Sequence, residues 1–223
     1  MLIGMAGHDP YSPSTIMAES EAITPDQIET ARRKWKEAQS FHELCSLTAA
    51  FIDGQLPYMP EWGGSSVDAE TSPLVPYLAA LNRAGFLTTT SQPGEDFPKW
   101  KQRAFVDGFA LEPVARRIAR LSLYSDLHIV VSPPGFEVGF HTPVILRDFQ
   151  PHGWAGFCRG TPDDEFGEDC SPAARIALQK AWCVSVVDLA WGREEHLWKE
   201  LTRELCYSEQ PHPDLGLETN FAI

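Results

Sequence analysis

The sequence AETSPLVPYLAALNRAGFLTTTSQPG, residues 69–94, decides the fold of this chain. Its first half predicts a helix that begins at Ser72, because serine caps helix N-termini and Pro73 suits the first helical turn. Apolar residues then recur at three- and four-residue spacing, which is typical of a helix with one buried face. Gly85 follows the last of them and predicts the helix end, since glycine readily adopts the left-handed conformation there.

The second half of this stretch predicts a strand and a turn. Residues 86–90 combine phenylalanine and leucine with three threonines, which suit a pleated strand, and residues 91–94 are typical turn residues. Ligands of open α/β sheets bind beyond the carboxyl ends of strands, so Thr88, Ser91 and Gln92 are candidate ligand contacts. An ordinary helix–turn–strand unit with a polar turn explains the same residues without a ligand.

Capping motifs and apolar runs alternate along the rest of the chain. Two capping boxes, at residues 24–27 and 40–43, predict helices to about Gln39 and Ile52. Later helices are predicted over residues 113–121, 171–182 and 194–206, and strands over residues 102–109, 127–131, 143–149 and 183–188. Loops are predicted over residues 55–68 and 150–170, and the first of these is long enough to cover a site.

Strands that alternate with helices indicate the α/β class. We therefore predict a single domain in which helices flank a mixed central sheet, with a helical N-terminal preface. Its predicted boundaries are an irregular segment at residues 1–23, the domain itself at residues 24–208 and a C-terminal tail at residues 209–223.

Composition excludes several classes of partner. The chain has 223 residues, of which 43% are hydrophobic and 22% charged, as in ordinary globular proteins. Its net charge of −13 argues against nucleic acid, because phosphate binding needs a basic face. No apolar run approaches the roughly 20 residues that cross a bilayer, so no membrane partner is expected. An acidic surface field tolerates a cationic ligand.

Cysteine and histidine spacing predicts neither disulfides nor a metal site. The five cysteines are an odd number, widely spaced and without a C-x-x-C pair, which favours reduced thiols and a cytoplasmic location. The seven histidines show no metal-ligand spacing among themselves or with the cysteines. The first residues lack the basic and apolar regions of a secretory signal.

The central stretch resembles the S-adenosylmethionine-binding regulatory domain of eukaryotic methylenetetrahydrofolate reductase. The resemblance is carried by the Glu70-Thr71 pair, the helix after it and the LNRAGFLTTTSQP run that ends at Pro93, with no gap. It extends over roughly residues 30–206 and includes QRAF on the next strand and Leu197-Trp198 on the last helix. The chain is also similar to uncharacterised actinobacterial proteins. No segment of it resembles the reductase's catalytic barrel.

The resemblance implies which residues contact the ligand. In the family, the Glu-Thr pair and the Thr and Ser of the following strand bind S-adenosylmethionine or S-adenosylhomocysteine, and these correspond to Glu70, Thr71, Thr88 and Ser91. Thr142 is a candidate for one of the family's later threonines. A carboxylate can pair with the ligand ammonium or accept ribose hydroxyls, and hydroxyls can bind its carboxylate or adenine. Glu70 as a helix-start residue and Thr88 as an ordinary strand threonine are the structural alternatives.

Further candidates are less specific. Trp62, Phe86 and Trp154 could face a sulfonium through cation–π contact, although a loop anchor explains Trp62 equally well. Two pairs could form nucleophilic dyads, namely His42 with Cys45 and His141 with Asp148, although the helical spacing of the first pair is more often that of a surface and core pair. Glu70 and His141 are the predicted catalytic bases, and Asp188 is either a third base or a cap.

Two functions remain open at this point. In the first, the protein is an enzyme that uses S-adenosylmethionine as substrate, by cleavage or intramolecular cyclisation that releases methylthioadenosine, or by methyl transfer. In the second, it is a non-catalytic sensor of S-adenosylmethionine or S-adenosylhomocysteine that regulates a partner protein, marked by a large exposed apolar patch. Either function requires this small molecule and no metal, and a homodimer is compatible with both.

Overall fold

The computed structural model describes residues 23–60, 67–136, 141–156 and 170–207. The helices are α1 (Pro25–Glu37), α2 (Phe41–Ile52), α3 (Val75–Arg83), α4 (Glu112–Arg120), α5 (Pro172–Leu178) and α6 (His196–Thr202). The strands are β1 (Phe86–Gln92), β2 (Glu95–Phe97), β3 (Trp100–Gln102), β4 (Phe105–Ala110), β5 (Leu127–Ser132), β6 (Thr142–Arg147), β7 (Gln150–Ala155) and β8 (Trp182–Asp188). Most of the predicted segment 1–23 and all of the predicted tail 209–223 lie outside the described residues.

The strands form two four-stranded sheets, and every pair between neighbours is antiparallel. The first sheet has the order β1-β4-β8-β5 and packs against helices in the main hydrophobic core. The second has the order β2-β3-β6-β7 and shares a small apolar cluster with the first. The predicted single α/β domain with a helical N-terminal region is confirmed, and its strands are divided between two sheets.

The two N-terminal helices form as their capping residues predict. The Thr24 side chain accepts a hydrogen bond from the Gln27 amide, and the Gln27 side chain bonds back to the Thr24 amide. Ser40 accepts one from the Glu43 amide in the same way. Each cap satisfies N–H groups that the first helical turn leaves without a partner.

The central stretch differs from prediction at its start. Residues Ala69–Leu74 form a 3₁₀ helix, and α3 begins only at Val75, so Ser72 is not its cap. Pro73 and Pro76 lie three residues apart, and because neither has an N–H group this region favours the tighter turn. At the other end β1 continues through Ser91 and Gln92, which were predicted to lie in a turn.

The second sheet accounts for most of the strands that the sequence did not predict. The predicted strand 102–109 is divided between β3 and β4, and residues 150–155 form β7 where a loop was expected. The predicted strand 143–149 ends at Arg147, because Asp148 and Phe149 turn the chain with φ of 48° and 65°. The helix predicted over 171–182 ends at Leu178, where β8 is about to begin.

Candidate functional site

A β-bulge in β1 sets the positions of two predicted ligand contacts. Thr88 lies opposite Gly108 and Ser91 lies opposite Val106, with a register shift between Thr88 and Thr90. Directly opposed residues point to the same face, and Val106 and Gly108 are two residues apart on a regular strand. Thr88 and Ser91 therefore share a face, although residues three apart on an unbulged strand would lie on opposite faces.

Gly108 permits the close approach that this bulge requires. A Cβ atom at Gly108 would lie 2.2 Å from the carbonyl oxygen of Leu87 and 2.9 Å from the Cα of Thr88. Both neighbours are backbone atoms, so they cannot move aside as a flexible side chain would. Any other residue at this position would push β4 away from the bulged part of β1.

Asn82 of α3 holds Thr88 in place. Its fully buried side chain donates to the Thr88 hydroxyl oxygen at 2.7 Å and to the Leu78 carbonyl at 2.8 Å, and it accepts from the Thr88 amide at 3.2 Å. The contact joins the end of α3 to β1 across the turn at Gly85, whose φ is +90°. Thr88 itself is buried, with 6% of its surface exposed.

Glu70 and Thr71 lie in the 3₁₀ helix that packs against β1. Glu70 is exposed and Thr71 is half-buried. The fold thus brings the Glu-Thr pair next to the strand that carries Thr88 and Ser91, at the outer edge of the first sheet. Together the 3₁₀ helix and β1 carry one carboxylate and three hydroxyl groups among the predicted ligand contacts.

The other predicted contacts lie on the opposite side of the first sheet. Gln92 lies opposite Phe105, and its amide nitrogen donates to the carbonyls of Arg103 and Val144 at 3.1 and 3.3 Å. Thr142 lies opposite Ala155 in the second sheet, and Ala155 packs against Phe105. Gln92 and Thr142 are therefore associated with the junction of the two sheets, and the ligand-contact assignments stay predictions.

The predicted bases are dispersed. Glu70 lies beside β1, whereas the exposed His141 precedes Thr142 of the second sheet. Asp188 is fully buried, accepts from the Ala190 amide at 2.9 Å and forms an ion pair with Arg193, which fits a cap. Of these three, Glu70 lies in the 3₁₀ helix that packs against β1, the strand of Thr88 and Ser91.

Sequence reasoning missed Asp107, a buried carboxylate in the middle of the first sheet. It lies opposite Thr90 on one side and Ser185 on the other, and its Oδ2 accepts from the Gly156 amide at 3.0 Å. The Thr89 hydroxyl of the bulge donates to its backbone carbonyl at 3.3 Å. An aspartate inside the apolar run AFVDGF was the available indication of a functional or structural role.

The structure adds little support for the remaining candidate residues. Cys45 is fully buried and His42 is exposed, and burial raises the pKa of the Cys45 thiol to about 12, which disfavours a thiolate nucleophile. Phe86 is fully buried, and Trp154 is exposed on β7. Trp62 lies outside the described residues. Within the described ranges, no three potential metal-ligating side chains cluster together.

A cleft of about 660 Å³ lies elsewhere, between α1 and the chain that follows α2. Its described lining includes Ile23, Asp26, Thr30, Lys34, Leu56 and Val67, and it contains none of the predicted ligand contacts. The predicted ligand contacts on β1 and in the 3₁₀ helix therefore lie outside this cleft.

Residues 30–208 match the family described as Domain of unknown function (DUF6919). The chain belongs to the DUF6919 family. Among curated proteins, none matches this chain. The DUF6919 domain spans both sheets and every helix of the described residues after the first turns of α1.

The β1 edge of this DUF6919 domain carries polar groups of the kinds that bind small polar ligands. A bulge removes one residue from the ladder, which frees backbone N–H and C=O groups for a ligand. Thr71, Thr88 and Ser91 supply hydroxyl groups, and Glu70 supplies a carboxylate that can accept charge-assisted hydrogen bonds from a cation. Within the described residues, no helix is long and apolar enough to cross a bilayer.

Proposed function

We propose that this protein binds S-adenosylmethionine at the β1 edge and uses it as a substrate. The observation that carries the proposal is the bulge, because it turns Thr88 and Ser91 to one face of a strand that packs against the 3₁₀ helix of Glu70 and Thr71. The resemblance to the reductase regulatory domain implies ligand contacts at these four positions. The four described cysteines are free thiols, which supports a cytoplasmic location within this proposal.

The role of Glu70 differs between binding and turnover. In binding, its carboxylate pairs with the ligand ammonium or accepts both ribose hydroxyls. In cyclisation, the ligand amine loses a proton to a base and its nitrogen bonds to Cγ as the Cγ–S bond breaks, so that sulfur leaves as neutral methylthioadenosine. Glu70 is the proposed base, since among the predicted bases it is the one on the 3₁₀ helix that packs against β1.

The first experiment measures binding by calorimetric titration with S-adenosylmethionine and S-adenosylhomocysteine. We expect Glu70→Ala to weaken binding by about 1.5–3 kcal/mol, a loss typical of a charge-assisted contact. Its stability should change little, because Glu70 is exposed. Glu112→Ala is the matched control, since Glu112 is also exposed and in the first turn of a helix. No heat with either ligand at millimolar concentration would exclude the site.

The second experiment asks whether the ligand is consumed. Purified protein is incubated with S-adenosylmethionine alone, and the products are identified by mass spectrometry against a protein-free sample. Methylthioadenosine above the spontaneous background supports cleavage or cyclisation. Formation of S-adenosylhomocysteine only when an acceptor is added indicates methyl transfer.

Sensing is the second candidate function, and exposed aromatic side chains favour it. Phe97 and Phe149 are both largely exposed near the hairpin turns of the second sheet, where a partner protein could contact them. Intact ligand after incubation, together with measurable binding, would support this function.

A further inference from the structure

The strand β5 forms an open edge of the first sheet. Six unbroken pairs, from Leu127 opposite Asp188 to Ser132 opposite Cys183, join it to β8. No strand among the described residues pairs with its other side. An edge strand presents a row of backbone N–H and C=O groups that can hydrogen-bond to another strand.

The other three sheet edges carry features that prevent strand pairing. The edge strand β1 contains the bulge and packs against α2 and the 3₁₀ helix. On the second sheet, β2 has three residues, two of which are Glu95 and Asp96, and β7 contains Pro151 and pairs with two register shifts. Short length, charge, proline and bulges all protect edges.

By contrast, β5 carries none of these features. Its sequence LHIVVS has no proline, glycine, lysine or carboxylate, and β-branched residues occupy its centre. Its four central side chains are half-exposed. Such a strand is suited to pairing, because β-branched side chains pack well across strands.

Exposed apolar side chains flank both ends of β5. Leu123 and Tyr124 precede it, with 56% and 49% of their surface exposed, and Phe136 follows it with 54% exposed. In an antiparallel pair of identical strands, the start of one strand meets the end of the other. Pairing of two copies would therefore bring Phe136 of each copy towards Leu123 and Tyr124 of the other, which removes apolar surface from water.

The distribution of charge around β5 also favours pairing with a second copy of the chain at this edge. The chain carries a net charge of −13, so copies repel one another over most of their surface. No carboxylate lies within β5, and Asp126 just before it is paired with Arg193 and His196 at 2.9 and 2.8 Å. Two β5 strands can thus approach without placing like charges opposite each other.

We propose that two copies of this chain associate through antiparallel pairing of β5 with β5 about a two-fold axis. The two first sheets then form one continuous eight-stranded sheet. Such an interface is self-complementary, as the commonest class of homo-oligomer requires. The β1 edges lie at the two outer ends of this sheet, so the proposal is independent of any ligand that binds there.

The test places a lysine on each edge of the first sheet. Val130 of β5 and Thr90 of β1 lie in one row of opposed residues, through Asp107 and Ser185, and so share a face at opposite edges. Sedimentation velocity should give the wild type and Thr90→Lys twice the 24.8 kDa chain mass at micromolar concentration. Val130→Lys should sediment as a monomer with at least 100-fold weaker association, because the two-fold axis would bring the two added ammonium groups close together on one face of the paired strands.

Hydrogen exchange in the wild-type protein tests the same interface without a substitution. Dilution below the dissociation constant should speed amide exchange in β5 but leave the amides of β4, which is paired on both sides, unchanged. Circular dichroism first establishes that both lysine variants are folded. A wild-type monomer at 100 µM would overturn the proposal, and so would a Val130→Lys dimer or β5 exchange that does not depend on concentration.

Discussion

At the scale of single residues, Cys45 illustrates how burial sets chemical behaviour. Its side chain is fully buried in α2, among the apolar residues of the main core. Burial is the larger influence and raises the pKa of the thiol to about 12, while a hydrogen bond to the backbone lowers it. The folded protein therefore keeps Cys45 as a neutral thiol at any pH where enzymes normally work.

This shift predicts a loss of stability in alkaline solution. Below pH 9 the thiol is protonated in both the folded and the unfolded chain, so its contribution is fully present. Between about pH 9 and 12 the unfolded chain ionises and the folded chain does not, so the free energy of unfolding should fall by up to about 1.4 kcal/mol per pH unit. Urea unfolding at pH 7 to 11 should show a shallower fall for Cys45→Ala than for the exposed-cysteine variant Cys206→Ala. If the free energy of unfolding fell equally with pH in both variants, the raised pKa of Cys45 would be contradicted.

At the scale of elements, the hairpin between β6 and β7 depends on an unusual two-residue turn. Both Asp148 and Phe149 have positive φ, as a type I′ turn requires, and glycine or asparagine normally occupies these positions. Phe149 is 75% exposed and contributes little packing in return. A bulky residue in this conformation costs roughly 1–2 kcal/mol.

Replacing this phenylalanine should stabilise the protein. We expect Phe149→Gly to raise the free energy of unfolding by about 0.5–1.5 kcal/mol, because it removes the strain while losing almost no buried surface. Phe97→Gly is the control, since Phe97 is also exposed but lies in a strand, where glycine is unfavourable. Urea midpoints of the two variants should move in opposite directions. A lower midpoint for Phe149→Gly would contradict the strain argument.

The elements also show what the sequence could predict. Thr24 and Ser40 marked the two N-terminal helices correctly, because a capping residue acts on amides only three positions away. The bulge at Thr88–Thr90 and the strand β7 could not be predicted, since pairing with Gly108 and with β6 decides them. The candidate contacts Glu70 and Ser91 could be proposed because they lie in one continuous stretch of sequence. Asp107 could not, because it comes next to that stretch only where β4 pairs with β1, opposite Thr90.

At the scale of the whole molecule, Arg103 joins the two sheets. It lies between β3 and β4. Its Nε donates to the Leu189 carbonyl at 2.9 Å and its Nη1 donates to the Pro143 carbonyl at 2.7 Å. Its Cζ also lies 4.0 Å from the centre of the Trp191 ring. Burial lowers its pKa, and the carboxylate of Asp188 opposes that shift. A single guanidinium thus links the segment after β8 to the start of β6.

Arg103→Lys should loosen this junction while keeping the charge. An ammonium cannot donate in two fixed directions and stack at once, so we expect a loss of about 2–3 kcal/mol of stability. Amide exchange should quicken more in β6 and β7 than in β4 and β8, because Arg103 holds the start of β6, whereas β4 and β8 also pack into the main hydrophobic core. Arg147→Lys on the exposed end of β6 is the control and should change neither stability nor exchange. Equal acceleration across both sheets would mean that they unfold as one unit, and that Arg103 contributes to overall stability rather than to their junction.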